Sequence, residues 1–417
     1  MGLMANATRR NDDVLVEPKP NGLTRGGAHR LNAIDMLRGL VIAIMVLDHA
    51  RDYFHYYALR LDPTDPTNSW PALFATRWVT HLCAVTFVFL AGVSIYFQKA
   101  NGKTNLPSFL IKRGAWLILL EVTVISFGFN FAEPFIFLQV IFAIGISMIC
   151  MSLIARLPAR WVLVLGLAIL LLYPFALAAT AHATVDATRA GNANANNLLD
   201  VIRTLALAPG VLGTHVLAYY AFVPWLSVMC LGFGLGPIFR LDRSARARRL
   251  LPVAIGLLVV FILLRLANSY SDPAPWSYQA TSIRTVMSFM NLSKYPPSPD
   301  FVFATLSTSI LLFLVLESLR GPLARVLLAY GRTPLFTYVC HIYILHGLML
   351  AAVLALGFPF GTATDVVLST KARDFNWGFN LPVVYAVWLL VLVVLAPLAI
   401  WFSGVKARRR DWWLSYL

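Results

Sequence analysis

The stretch 35-DMLRGLVIAIMVLDHARDYFHYY-57 sets the reading of the whole chain. Its centre, LVIAIMVL, is apolar without a break. Asp35 and Arg38 precede it, and Asp48, His49, Arg51, Asp52 and His55 follow it. By itself this is a weak membrane segment, because the charges bracket only a short greasy run. Nine longer apolar stretches further along give it its context, at roughly 80–98, 108–127, 131–154, 160–180, 215–237, 250–267, 301–318, 333–356 and 382–403. With 34–51 they make ten segments, each about long enough to cross a ~30 Å hydrocarbon layer as a helix. The expected fold is an all-α polytopic membrane helix bundle of about ten transmembrane helices.

Composition agrees. The 417 residues are 59% hydrophobic and only 13% charged, where a soluble domain is about a quarter charged. The net charge of +15 is the kind of value that suggests nucleic acid, but such proteins carry their basic residues on a charge-rich soluble surface. Here most of the 34 Lys and Arg fall in alternate short loops, among them RLDRSARARR (240–249) and KARRR (406–410). This is the positive-inside pattern with both termini in the cytosol. Residues 1–30 are polar, have no apolar signal core and read as a cytosolic tail. Residues 31–405 form the membrane domain, and 406–417 a basic cytosolic tail. The long loops near 52–79, 181–214, 268–300 and 357–381 then face outward, where loops of that length usually form lids or binding elements. Cys83, Cys150, Cys230 and Cys340 lie in apolar spans and read as packing residues. The glycines of LGFGLG (231–236) lie within a span and read as close helix packing.

Charge inside a bilayer is costly and tends to mark a site. Arg38 and His49 are eleven residues apart, which puts them on one helix face about 16 Å apart along the axis. Arg38 stands at the cytosolic mouth, where its planar fork suits a phosphate. His49 lies toward the outer end, where an imidazole can take and return a proton. A nearby carboxylate such as Asp48 would fix its tautomer. A snorkelling anchor at Arg38 and an interfacial polar cluster at Asp48–His49 would explain the same pattern without chemistry.

The first span, followed by RWVTHLCAVTFVFLAGVSIY (77–96), LQVIFAIGISM (138–148), VPWLSVMCLGFGLG (223–236), NLSKYPPSPDFVFATL (291–306), GRTPLFTYVCHIYILHG (331–347) and the closing WWLSYL, resembles the bacterial branch of the heparan-α-glucosaminide N-acetyltransferase-like family. The resemblance runs over almost the whole chain from residue 31. It implies a multi-span enzyme of the bacterial inner membrane that takes an acyl group from cytosolic acyl-CoA, here acetyl-CoA, and delivers it to a glycan hydroxyl or amine outside. In the wider group of transmembrane acyltransferases the matching Arg is associated with acyl-CoA and the matching His with catalysis, which points to Arg38 and His49. The animal lysosomal enzymes instead carry their essential His in the loop after the first span, where this chain reads FHYYALRLDP. His55 or His81 could therefore hold that role.

The other candidates follow from position. His81 opens the second span level with His49 and is a second catalytic candidate beside Asp48. Arg113 and Arg332 mark inner helix mouths where coenzyme A phosphates would dock. His55, Glu121, Lys294 and His346 are candidate substrate contacts on the outer side. His341, nearer mid-membrane, ranks below His346. The two are five residues apart and so project in different directions, which argues against a metal pair. No metal and no nucleic acid are expected. The expected partners are the acyl-CoA donor, a glycan acceptor and the bilayer, with a homo-oligomer left open. The competing class is a transporter or flippase for an anionic solute, in which the same polar residues would line a path. Inverted repeats would mark it, and the sequence displays none.

Overall fold

In the computed structural model the chain divides into two units, Met1–Leu31 and Asn32–Leu417. The structure describes residues 31–56, 61–131, 135–179, 198–360, 377–409, 411 and 414. The polar tail 1–30 and most of the C-terminal WWLSYL lie outside the described residues.

The second unit is a helix bundle. Its first helix, α1 (Asn32–Phe54), covers the decisive stretch. Then come α2 (Pro71–Thr80), α3 (Leu82–Ala100) and α4 (Leu106–Leu120). A π-helical turn, Glu121–Ile125, carries α4 into the short α5 (Ser126–Phe129). After strand β1 (Ile136–Leu138) follow α6 (Val140–Ile154), α7 (Ala159–Ala179) and α8 (Leu198–Ala206). Strands β2 (Gly210–Leu212) and β3 (Val216–Ala218) precede α9 (Phe222–Phe239) and α10 (Arg243–Ala267). The last part comprises α11 (Ser282–Phe289), α12 (Pro299–Leu316), α13 (Pro322–Arg332), α14 (Pro334–Ala355) and α15 (Leu381–Arg408).

Seven helical stretches among the described residues are long and apolar enough to cross a membrane: Pro71–Ala100, α7, α9, α10, α12, α14 and α15. The other three expected segments are helical but fall outside that set. Charges crowd both ends of α1, and α4 gives way to the π turn. The segment expected at 131–154 starts as strand β1, leaving α6 with 15 residues, about 22 Å of helix. Likewise the segment expected from 215 begins as β3 and becomes helical only at Phe222. The strands form one sheet in the order β1-β3-β2, with Ile136 opposite Val216 in a parallel pair and Gly210 opposite Ala218 in an antiparallel one.

Two glycine contacts set how closely the central helices approach. At Gly232 in α9 an added Cβ would lie 2.0 Å from the Phe89 carbonyl oxygen of α3, and at Gly92 it would lie 2.0 Å from that of Met229. The backbones touch, as small-residue packing between membrane helices allows. At Gly331 an added Cβ would lie 1.7 Å from the Asp35 carbonyl oxygen, so the end of α13 sits against the first turn of α1. Helices α7, α10 and α15 expose large apolar side chains such as Leu172, Leu263 and Val393, consistent with a lipid-facing rim. The charged helix α1 is enclosed by its neighbours, with Val41, Ile42 and Val46 fully buried.

Candidate active site

A cavity of about 1150 Å³ opens among the loops at the C-terminal end of α1 and reaches down to Met45 and Phe87. His49, Asp48, Arg51, Arg77, His81 and Lys294 all line it. Its lining does not include Arg38, which lies seven residues before Met45, about 10 Å further along α1.

The immediate partner of His49 is another histidine. His49 Nδ1 lies 2.8 Å from His341 Nε2, and His341 Nδ1 lies 3.3 Å from the Thr337 carbonyl oxygen. A carbonyl only accepts, so the proton on His341 resides at Nδ1 and its Nε2 is an acceptor. His49 Nδ1–H then donates to that nitrogen, and His49 Nε2 is left with its lone pair. Phe129 packs edge-on against the His49 ring at 5.2 Å, and Tyr338, one turn before His341, approaches at 6.4 Å. The result is a buried imidazole with a fixed tautomer and one basic nitrogen, the requirement for a general base.

Asp48 does something other than the tautomer fixing expected of it. Its carboxylate accepts from Arg77 Nη1 at 2.7 and 2.9 Å and from Thr80 Oγ1 at 2.8 Å. It also pairs with Arg51 Nη2 at 2.9 Å and faces Lys294 Nζ at 3.9 Å. Four residues from α1, α2 and the loop before α12 thus converge on one carboxylate. A buried charge demands such compensation, and the carboxylate has no contact left for His49. Lys294 is held in place because Asp272 ties down its loop, accepting from Ser293 N at 2.9 Å and from Ser298 Oγ.

The remaining expected residues divide. His81 forms the one-residue joint between α2 and α3, is buried beside Phe301 at 5.2 Å and lines the cavity. Glu121 does not line the cavity. Its two oxygens accept from the backbone N–H groups of Gln139 (3.1 Å) and Phe142 (3.0 Å), capping the N-terminus of α6, whose first N–H groups have no partner within the helix. His346 also lies outside the cavity lining. Its Nδ1–H donates to the Gly128 carbonyl at 2.8 Å, and its ring lies flat on Phe131. His55 packs against Trp70 at 5.7 Å and pairs with Phe379, outside the cavity lining. Burial and the nearby Arg51 charge push its pKa down to about 4. At the basic end Arg38 donates to Asp35 at 3.1 Å and to Ser94 Oγ. Arg332 reaches Asn32 at 3.5 Å, so the two arginines share the start of α1. Arg113 stands apart on α4, which packs against α6 through Gly114 and Gly145.

His341, which position along the chain places below His346, is the residue that meets His49, and Arg77, Gln139 and Tyr338, which no sequence signal singled out, line the cavity. Depth along the helix hid His341, while the five-residue spacing that argued against a metal pair says nothing about a partner on α1. The Tyr338 hydroxyl, Gln139 Nε2, His81 Nδ1 and two nitrogens of Arg51 are buried with no hydrogen-bond partner among the described residues. All four residues line the same cavity. Buried polar atoms are normally satisfied, so a cluster of unmet ones marks room for a polar ligand.

The family model for the catalytic domain of heparan-alpha-glucosaminide N-acetyltransferase matches residues 30–265, more than half of the chain. The chain belongs to this family. It is therefore a multi-pass membrane protein of an acetyltransferase family, as the sequence resemblance implied. No curated protein matches the chain. The matched region contains Arg38, His49, Arg77 and His81, whereas Lys294, Tyr338 and His341 come from the part beyond it. The cavity is thus assembled from both.

Proposed function

We propose that this chain transfers an acetyl group from acetyl-CoA, presented on the cytosolic side, to a hydroxyl or amine of a glycan acceptor in the outward-opening cavity, with His49 as general base. The single observation carrying this reading is the His49–His341–Thr337 relay, which leaves a basic nitrogen in a cavity with unmet polar groups. His49 Nε2 takes the proton of the acceptor as its oxygen or nitrogen attacks the thioester carbonyl. The carbonyl oxygen gains negative charge, for which the buried Tyr338 hydroxyl supplies a donor. The tetrahedral intermediate collapses by breaking the C–S bond, and the departing sulfur recovers the proton from His49, giving coenzyme A and the acetylated acceptor. His81 stands by as a second proton carrier. Arg38 and Arg332 hold the donor phosphates at the other end of α1, in a bacterial inner membrane with both termini in the cytosol. Family membership favours this reading over a transporter.

The test is transfer of radiolabelled acetyl from acetyl-CoA by purified protein in detergent, followed as coenzyme A release. His49→Ala is expected to lower turnover by about 10²–10⁴-fold. Wild-type turnover in His49→Ala overturns the assignment of the base, and unchanged acetyl-CoA affinity in Arg38→Ala overturns that of the donor end.

A further inference from the structure

The cavity wall beside His49 carries more positive charge than its own carboxylates absorb. Arg51 is 3% exposed, and it uses only one of its three nitrogens. Nη2 contacts both Asp48 Oδ1 at 2.9 Å and Asp52 Oδ1 at 2.6 Å. Nε and Nη1, which hold three N–H groups, have no partner among the described residues. Across the Asp48 carboxylate Lys294, also buried, stands at 3.9 Å with its Nζ 5.1 Å from the Tyr295 ring centre. Among the described residues, Arg51 pairs with Asp48 and Asp52, while Arg77 and Lys294 pair with Asp48. The other acids lining the cavity are engaged within their own loops. Asp62 accepts from Thr64, and Asp272 from Ser293 and Ser298.

Three of the five unmet atoms share a polarity as well, while the Tyr338 hydroxyl and His81 Nδ1 can donate or accept. Arg51 Nε and Nη1 and Gln139 Nε2 only donate. An unpaired guanidinium edge buried in protein is costly unless a ligand meets it. A neutral hydroxyl group would satisfy single donors but leave the surplus charge, whereas an anionic oxygen group satisfies both.

We propose that Arg51 and Lys294 form an anion subsite next to His49, and that the acceptor carries a carboxylate or phosphate group which docks there. The word acceptor rests on the acetyl-transfer reading; the subsite itself does not. The anionic group can belong to a soluble acidic sugar or to a lipid headgroup, since the recognition chemistry is the same.

The experiment is thermal unfolding of the full chain in detergent, followed by tryptophan fluorescence, with titrations of glucuronate, glycerol 3-phosphate, glucose, coenzyme A, and phosphatidylglycerol in mixed micelles. Glucuronate or glycerol 3-phosphate is expected to raise the midpoint, with glucose inert at the same concentration. Arg51→Gln is expected to weaken the anion's apparent affinity at least tenfold, and Lys294→Met to weaken it less. A response to phosphatidylglycerol alone, lost in Arg51→Gln, supports the subsite with a lipid headgroup as its source. Equal stabilisation by glucose overturns the proposal. So does an undiminished anion response in Arg51→Gln, or an Arg51-dependent response to coenzyme A alone. Should Arg51→Gln fail to fold, Arg51→Lys and Lys294→Met decide: undiminished affinity in both overturns it. Anion binding without any acetyl transfer removes the proposed function and leaves the subsite standing.

Discussion

Replacing His341 by alanine removes the acceptor for the His49 Nδ1–H and leaves that donor buried beside Phe129. The cost of an unmet buried donor is about 1–3 kcal/mol. The proton can escape this cost by moving to Nε2, which is the tautomer that cannot act as base. If the whole cost falls on the reactive tautomer, turnover drops by about 5- to 150-fold, since 1.36 kcal/mol is a factor of ten. This is smaller than the loss expected for His49→Ala, because the base itself is still present. The KM for acetyl-CoA is expected to stay put, because His341 lies about 16 Å from the donor end of α1, as His49 does. His341→Gln offers a carbonyl oxygen in roughly the same place and is expected to recover part of the loss. The assay is steady-state coenzyme A release, with the unfolding midpoint measured in parallel to separate damage to the fold from damage to the base. A folded His341→Ala enzyme with kcat within twofold of wild type refutes the relay. Equal losses in His341→Ala and His341→Gln refute it as well.

Asp48→Ala leaves Arg51, Arg77 and Lys294 facing one another. Breaking a buried ion pair this way costs about 3–5 kcal/mol, so the monodisperse peak in size-exclusion chromatography should largely disappear; an unchanged unfolding midpoint would argue against the network. Glu121→Gln keeps one acceptor oxygen where two N–H groups need two. The expected result is a stability loss of about 1–3 kcal/mol with unaltered kcat in the folded fraction, and an altered KM for the acceptor would return Glu121 to the site. Gly232→Leu drives a side chain into the Phe89 backbone and should abolish folded protein, whereas a normal yield would mean that α3 and α9 do not touch there. His55 titrates near 4 when folded and near 6.5 when unfolded. The unfolded chain therefore binds more protons between those values, so its contribution to stability is complete above pH 6.5 and declines as pH falls toward 4. His55→Phe should flatten the unfolding midpoint over that window, and an identical slope in the variant would contradict the buried placement.

The sequence by itself determined what kind of molecule this is. Apolar length, sparse charge and the basic loops make a multi-pass membrane protein, because hydrocarbon thickness and headgroup charge act on local composition and need no knowledge of packing. It also picked out α1 as the helix whose polar residues line the cavity, since charges bracketing a greasy run are visible along a single chain. The glycines of LGFGLG were readable for the same reason. Partnership was not readable, because it depends on which helices meet. Asp48 and His49 are neighbours in sequence yet project in different directions, so the carboxylate was taken by Arg77, Thr80 and Lys294, and the imidazole met His341 from 292 positions away. Glu121 and His346 stood out because polar groups at that depth need partners, and only the structure showed those partners to include a helix terminus and a backbone carbonyl. Only the tertiary structure decided which buried polar atoms found partners among the described residues, and it gathered those that did not around one cavity.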